Sequence, residues 1–278
     1  SCASCHKQEQ AFSDDRRQSI GHTGQFTRRN SMSLSNLRWH RRFFWDSRTV
    51  NITNQIPQPI QDPLEMGMSM EDLEEKLQTI EYYPGLFAKA YGDSSITAER
   101  IINALSQFNV SLYSYHSKYD KGLEVEFANF SEAEKRGKDL FFSNRTRCNQ
   151  CHMTALFYNP TAVNGGLETL NDDGLAETTG DSDDLGVFKV PTLRNIEVTG
   201  PYMHDGRFET LEEVIRFYNE EIVQMPNLDD RLTMNYETGG TPIQMNLTEE
   251  EISDLVAFLK TLTDHDFLTE PKYSNPFR

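Results

Sequence analysis

Apolar positions recur with a helical period in five stretches of this chain, and the two-residue alternation of a strand is scarce. Three of these stretches open on Ser or Thr with Glu three residues later, the reciprocal pattern that satisfies the first free amides of a helix. Ser131 with Glu134 introduces Ala133, Gly137, Leu140 and Phe141; Thr210 with Glu213 introduces Val214, Ile215, Tyr218 and Ile222; Thr248 with Glu251 introduces Ile252, Leu255, Val256 and Leu259. In the first half the same period runs from Ser69 to Ile80 and from Thr97 to Leu112. Residues 13–66 and 158–200 carry no period and are rich in Gly, Asn, Asp and Pro. Irregular stretches of this length are functional or packed around a ligand. The pattern predicts a mainly α protein with long irregular loops and little β.

Chemistry enters with the cysteines. All 4 fall into two copies of one pentapeptide, Cys2-Ala3-Ser4-Cys5-His6 and Cys148-Asn149-Gln150-Cys151-His152. C-x-x-C-H is the attachment site of c-type haem: two thiols add to the vinyl groups and the following His reaches the iron. A zinc site needs four converging ligands, and a redox C-x-x-C does not explain a His at the same place in both copies. The motifs therefore predict two covalently bound haem c groups, with His6 and His152 as axial ligands. They divide the chain into an N-terminal haem domain, residues 1–125, and a C-terminal one, residues 126–278.

The 27 basic and 43 acidic residues give a net charge of −16. That excess disfavours nucleic acid and anionic membranes and favours a small basic redox partner. No apolar run approaches the roughly 20 residues of a membrane span. The first motif begins at the second residue, too early for a domain that wraps a haem, so an upstream segment is expected. Because c-type haem is attached outside the bacterial cytoplasm, a removed export signal and a periplasmic or otherwise exported location are expected too.

Beyond the motifs, several runs carry a resemblance: Ser19-Ile20-Gly21-His22 with Arg29-Asn30, Phe44-Trp45-Asp46, Pro59 to Met66, Val190-Pro191-Thr192-Leu193-Arg194-Asn195, and Pro201-Tyr202-Met203-His204-Asp205-Gly206. Over nearly its whole length the chain resembles the bacterial dihaem cytochrome c peroxidases, a family that includes the protein-oxidising MauG type. The resemblance implies peroxide chemistry at the His6 haem and electron transfer at the His152 haem. His22 takes the place of a displaceable distal histidine, Glu65 of the distal carboxylate, and Gln55 of a polar distal residue. Trp45 takes the place of the tryptophan between the haems. Asn30, with the carbonyls of Thr199 and Pro201, matches a calcium site, and hard oxygen donors suit that ion. Tyr218 stands where ordinary peroxidases place a methionine ligand of the second iron and MauG-type members a tyrosine; Met203, Met225, Met234 and Met245 are its rivals.

Three functions follow from these residues: a peroxidase fed by a small cytochrome c or cupredoxin, a MauG-like oxidase acting on Trp or Tyr of a partner protein, and a plain electron carrier. Glu65 and the loop-borne His22 disfavour the carrier. The resemblance also allows a homodimer. Trp39 is expected in the core and His204 in a structural role. Arg28, Arg29, Arg38, Arg41, Arg42 and Arg48 form a local basic region suited to haem carboxylates or to solvent, and the acidic stretch Asn171 to Asp184 reads as a solvated loop.

Overall fold

A computed structural model describes residues 1–234 and 240–276. Twelve helices dominate: α1 (Ile52–Gln55), α2 (Pro57–Gln61), α3 (Met70–Thr79), α4 (Tyr82–Tyr91), α5 (Ala98–Ser111), α6 (Lys118–Glu124), α7 (Glu132–Phe141), α8 (Cys148–Cys151), α9 (Ala176–Thr179), α10 (Leu211–Arg216), α11 (Glu249–Lys260) and α12 (His265–Thr269). Four two-residue strands form two antiparallel ladders, β1 (Val163–Asn164) with β2 (Val187–Phe188) and β3 (Thr233–Met234) with β4 (Thr241–Pro242). The expected mainly α architecture is what the chain adopts.

Helix starts fall where the side chains dictate. Ser131, Thr210 and Thr248 each accept from the amide three residues on while that residue's carboxylate accepts at the cap. Ser69 and Thr97 cap α3 and α5 in the same way, without the returning carboxylate. The helix from Thr210 departs from expectation. It is α-helical only to Arg216 and then widens into a π-turn, Phe217–Glu221, which carries Tyr218. Such widened turns gather at functional sites.

The largest apolar core joins α7, α10 and α11 around Phe141, Phe157, Ile215, Leu255 and Phe258. Gly137 lets α7 cross α11 in direct backbone contact, since an added Cβ would stand 1.9 Å from the Asp254 carbonyl oxygen. Arg136 clamps that crossing through both Asp254 carboxylate oxygens. A second core packs α1 to α5 around Ile56, Ile60, Met70 and Phe87. A third joins Ala11, Phe12 and Leu112 to Phe267 and Tyr273, so the C-terminal segment closes over the start of the chain.

One expectation is corrected here. Trp39 is 49% exposed, packed on Tyr113 rather than in the core. The acidic loop is largely exposed, as expected, and is anchored at Asp172, which receives two 2.7 Å bonds from Arg29. Of the two readings of the arginines the solvated one fits: Arg28, Arg38, Arg41, Arg42 and Arg48 are exposed, Arg29 and Arg48 pair with Asp46, Arg28 pairs with Glu177, and none of the six lines the large cavity described next.

Candidate haem-binding sites

The two pentapeptides fold into the same local device. His6 Nδ1 lies 2.7 Å from the Phe12 carbonyl oxygen and His152 Nδ1 lies 3.2 Å from that of Phe157. A carbonyl only accepts, so Nδ1 carries the proton in both rings and Nε2 keeps its lone pair for a metal. Phe12 and Phe157 both hold positive φ, 60° and 50°, which turns each carbonyl back toward its imidazole. Burial lowers both histidine pKa values, that of His152 to about 4, and so keeps the rings neutral. No disulfide joins the four cysteines, and burial raises the thiol pKa of Cys5, Cys148 and Cys151.

Around the first motif the structure is open. Cys5 touches Ser19 and feels the charges of Asp14 and Glu65, which brings the Glu65 carboxyl beside the motif. Burial, reinforced by Asp62 and opposed by Arg48, raises the Glu65 pKa above its ordinary value. His22 is tied to this carboxylate segment, its amide donating to the Glu65 carbonyl at 2.8 Å. Two glycines make the approach feasible. A Cβ on Gly21 would strike the Leu64 carbonyl oxygen at 1.8 Å, and one on Gly67 would strike His22 Nε2 at 2.2 Å. Gln55, half-buried, ends α1. Ile20 and Phe26, 42% and 62% exposed, give the same loop an apolar surface.

The second motif opens into a largely apolar cavity walled by Leu193, Ile215, Leu232, Leu255 and Leu259. Tyr218 lies in its wall with Cys148, Cys151 and His152, and burial together with the two thiols pushes the phenol pKa well up. Of the rival methionines, Met203 and Met245 line the cavity. Met225 instead accepts from Asn164, and Met234 is 41% exposed.

Asn30, Thr199 and Pro201 share that wall with Trp45. The Trp45 indole donates to the Asn30 carbonyl at 2.9 Å, and the neighbouring Ser31 hydroxyl reaches the Cys5 carbonyl and His6 Nδ1. Trp45 thus lines the second cavity and is linked through Asn30 and Ser31 to the first motif. His204 is buried, stacked on Phe188 at 3.8 Å, in keeping with a structural role.

Two residues of this wall escaped the sequence reading. Lys189 is buried, has no carboxylate within ion-pair distance among the described residues, and has its pKa driven down to about 7 by burial. Its ammonium meets His40 Nδ1 at 3.0 Å, while His40 Nε2 is buried with no hydrogen-bond partner. A cation and an orphaned imidazole nitrogen in an apolar cavity fit a flat apolar macrocycle with carboxylates on its edge. Haem is such a group, and the thiols and imidazole of the motif are its attachment chemistry. The only signal in the sequence was the position of Lys189 directly before Val190-Pro191-Thr192.

The profile of the di-haem cytochrome c peroxidase family matches residues 1–127. The chain is 35% identical over 95% of its length, and 74% of the relative's, to cytochrome c551 peroxidase of Nitrosomonas europaea. This chain belongs to the dihaem cytochrome c peroxidase family. It is also 31% identical to the methylamine utilization protein MauG of Methylophilus methylotrophus, over 94% of this chain and 76% of that one. Among solved structures, a MauG-like protein associated with microbial copper homeostasis superimposes with a TM-score of 0.87 at 36% identity, covering 100% of this chain and 87% of that one. The dihaem peroxidase of Burkholderia thailandensis follows at 0.74 and 26%, covering 96% and 82%. The family makes the chain a haem-dependent oxidoreductase acting on peroxide. No helix among the described residues is long and apolar enough to cross a membrane.

Proposed function

We propose that this chain reduces hydrogen peroxide to water with electrons taken one at a time from a redox partner. The observation that carries the reading is the Glu65 carboxyl, partly buried beside the first motif with a raised pKa. Two haem c groups, held by Cys2, Cys5 and His6 and by Cys148, Cys151 and His152, supply the one-electron chemistry and the iron at which peroxide is cleaved. Glu65 takes the proton from one peroxide oxygen and returns it to the other, which leaves as water. Gln55 holds peroxide or water by hydrogen bonds. His22, joined to the Glu65 turn by one backbone hydrogen bond, would be the displaceable residue on the open face of the first haem. One peroxide, two electrons and two protons give two waters.

Electrons pass between the sites through Trp45. Tyr218 would hold the second haem opposite His152, with Met203 and Met245 its remaining rivals. Asn30 and the carbonyls of Thr199 and Pro201 hold a calcium ion that ties the Trp45 segment to the cavity wall. Attachment of haem c places the protein in the periplasm or another exported compartment.

Two measurements test the reading. A pyridine haemochrome assay should return two haems per chain, and reduced small redox proteins should be oxidised by peroxide in a 2:1 ratio. Absence of turnover, with oxidised Trp or Tyr in a co-expressed partner protein, would replace it with the protein-oxidising activity.

A further inference from the structure

The surface carries a row of aromatic rings that the peroxide chemistry does not use. Trp39 lies 5.2 Å from Tyr113 between ring centroids, Tyr113 lies 6.3 Å from Tyr115, and Tyr115 lies 4.2 Å from His116. Trp39 and Tyr115 are 49% and 57% exposed. The row continues inward, because the residue after Trp39 is His40, which is buried and stacked on Tyr158 with centroids 4.1 Å apart and planes 1° from parallel. His40 lines the cavity that also holds His152. Trp39 at the surface and His40 in the cavity wall are consecutive residues, so one peptide step separates the exposed row from the second haem-binding cavity.

The charge around this row is opposite to that of the whole molecule. Arg38 donates to the Tyr113 hydroxyl at 2.9 Å, and Arg41 and Arg42 follow within the same turn of chain. None of the three has a carboxylate within ion-pair distance among the described residues, although Arg100, Arg136, Arg145 and Arg216 all found one on this acidic surface. Lys272 adds a cation near Tyr115, with Glu270 the nearby acid. Trp, Tyr and Arg are the residue types that concentrate at the centres of protein interfaces.

We propose that the Trp39–Tyr113–Tyr115 face docks a small redox protein through an acidic patch and takes in its electrons. The inference rests on the peroxidase reading and names its partner. Each reduced donor would lose one electron, entering at Trp39 and reaching the second site through the adjacent His40 in the cavity wall. Two such transfers, with two protons, convert one peroxide to two waters. The net charge of −16 suggested a basic donor, but docking is decided by the charge of the face that connects to the cavity.

The test uses the haem-loaded chain, a reduced cupredoxin of net negative charge, and a small-molecule reductant. Replacing Arg38, Arg41 and Arg42 together by Glu should raise KM for the cupredoxin at least tenfold and abolish its fall in association rate with salt. Turnover with the small-molecule reductant should be unchanged. Trp39→Ala should slow electron transfer within the complex at least tenfold while leaving calorimetric affinity within threefold. Equal cupredoxin affinity in the parent and the triple variant, measured by calorimetry on chains with matching haem spectra and Tm, overturns docking at this face. Loss of turnover with the small-molecule reductant in the parent would instead overturn the peroxidase reading, and calorimetry would still decide the docking.

Discussion

The two pentapeptides hold their histidines alike and surround them differently. In both, a backbone carbonyl five or six residues on fixes the imidazole by its Nδ1 proton. The first then faces loop and turn: His22, Glu65 and exposed Ile20 and Phe26. The second faces a largely apolar cavity with Tyr218, Trp45 and the Lys189–His40 pair. One attachment device thus serves two purposes, and the neighbours of the open side decide which. A carboxyl that can exchange a proton belongs where a substrate enters; a phenol and a buried cation belong where charge is held without substrate.

The comparison breaks most visibly at Glu65. Glu65→Gln should slow peroxide consumption by about 10²- to 10⁴-fold with both haems retained. Because the carboxylate must accept the first proton, turnover should fall as pH drops through its pKa. Burial raises that pKa, so the acid limb of kcat/KM should lie above the ordinary 4.5 and vanish in the variant. An unchanged rate and acid limb would remove Glu65 from the mechanism.

Much of this contrast was readable in the residues. The capping pairs at Ser131, Thr210 and Thr248 fixed three helix starts, because cap chemistry is local. Helix α4 was not seen, since Pro84 and Gly85 sit inside it and blur its period. The widened turn at Tyr218 was also invisible, because only the folded chain sets Phe217 against Phe208 and Tyr218 in the cavity wall. Lys189 and His40 are 149 residues apart in sequence, and only folding brings a cation and an imidazole into one wall.

The second site is probed by Tyr218. Its phenol lies in the cavity of His152, and a phenolate ligand favours ferric iron over ferrous more than a thioether does. Tyr218→Met should raise the potential of the second haem by about 100 mV or more, a fraction of the range that axial ligands span, and leave the first unchanged. Redox titration identical to the parent's would make Tyr218 a packing residue.

A backbone change sharpens the first site alone. Gly67 holds φ 56°, and a Cβ there would meet His22 Nε2 at 2.2 Å. Gly67→Ala should cost about 1–3 kcal/mol and push His22 off its turn. The absorption or electron paramagnetic resonance spectrum of the first haem should then change while that of the second stays put. If neither the spectra nor Tm moves, His22 is held by something other than this glycine contact.

The smallest expected effect concerns Lys189, and it tests whether the second cavity is electrostatically tuned. The ammonium is buried without a carboxylate partner among the described residues, so an acidic group on a bound haem is the natural counter-charge. A fixed positive charge stabilises the reduced form of a neighbouring redox centre, which has gained an electron. Lys189→Met keeps the length of the side chain and removes that charge. The second haem's potential should therefore fall, by about 70 mV for a unit charge roughly 10 Å away at an effective dielectric near 20. The first haem, beyond Trp45 and Asn30, should shift by much less. Equal shifts at both haems would mean that the substitution disturbs the fold rather than the local field. No shift at either would mean that Lys189 is neutral when haem is bound, as its lowered pKa of about 7 permits once the pH is well above that value. Repeating the titration at pH 6 separates these cases, because the charged lysine must then raise the parent's potential above the variant's.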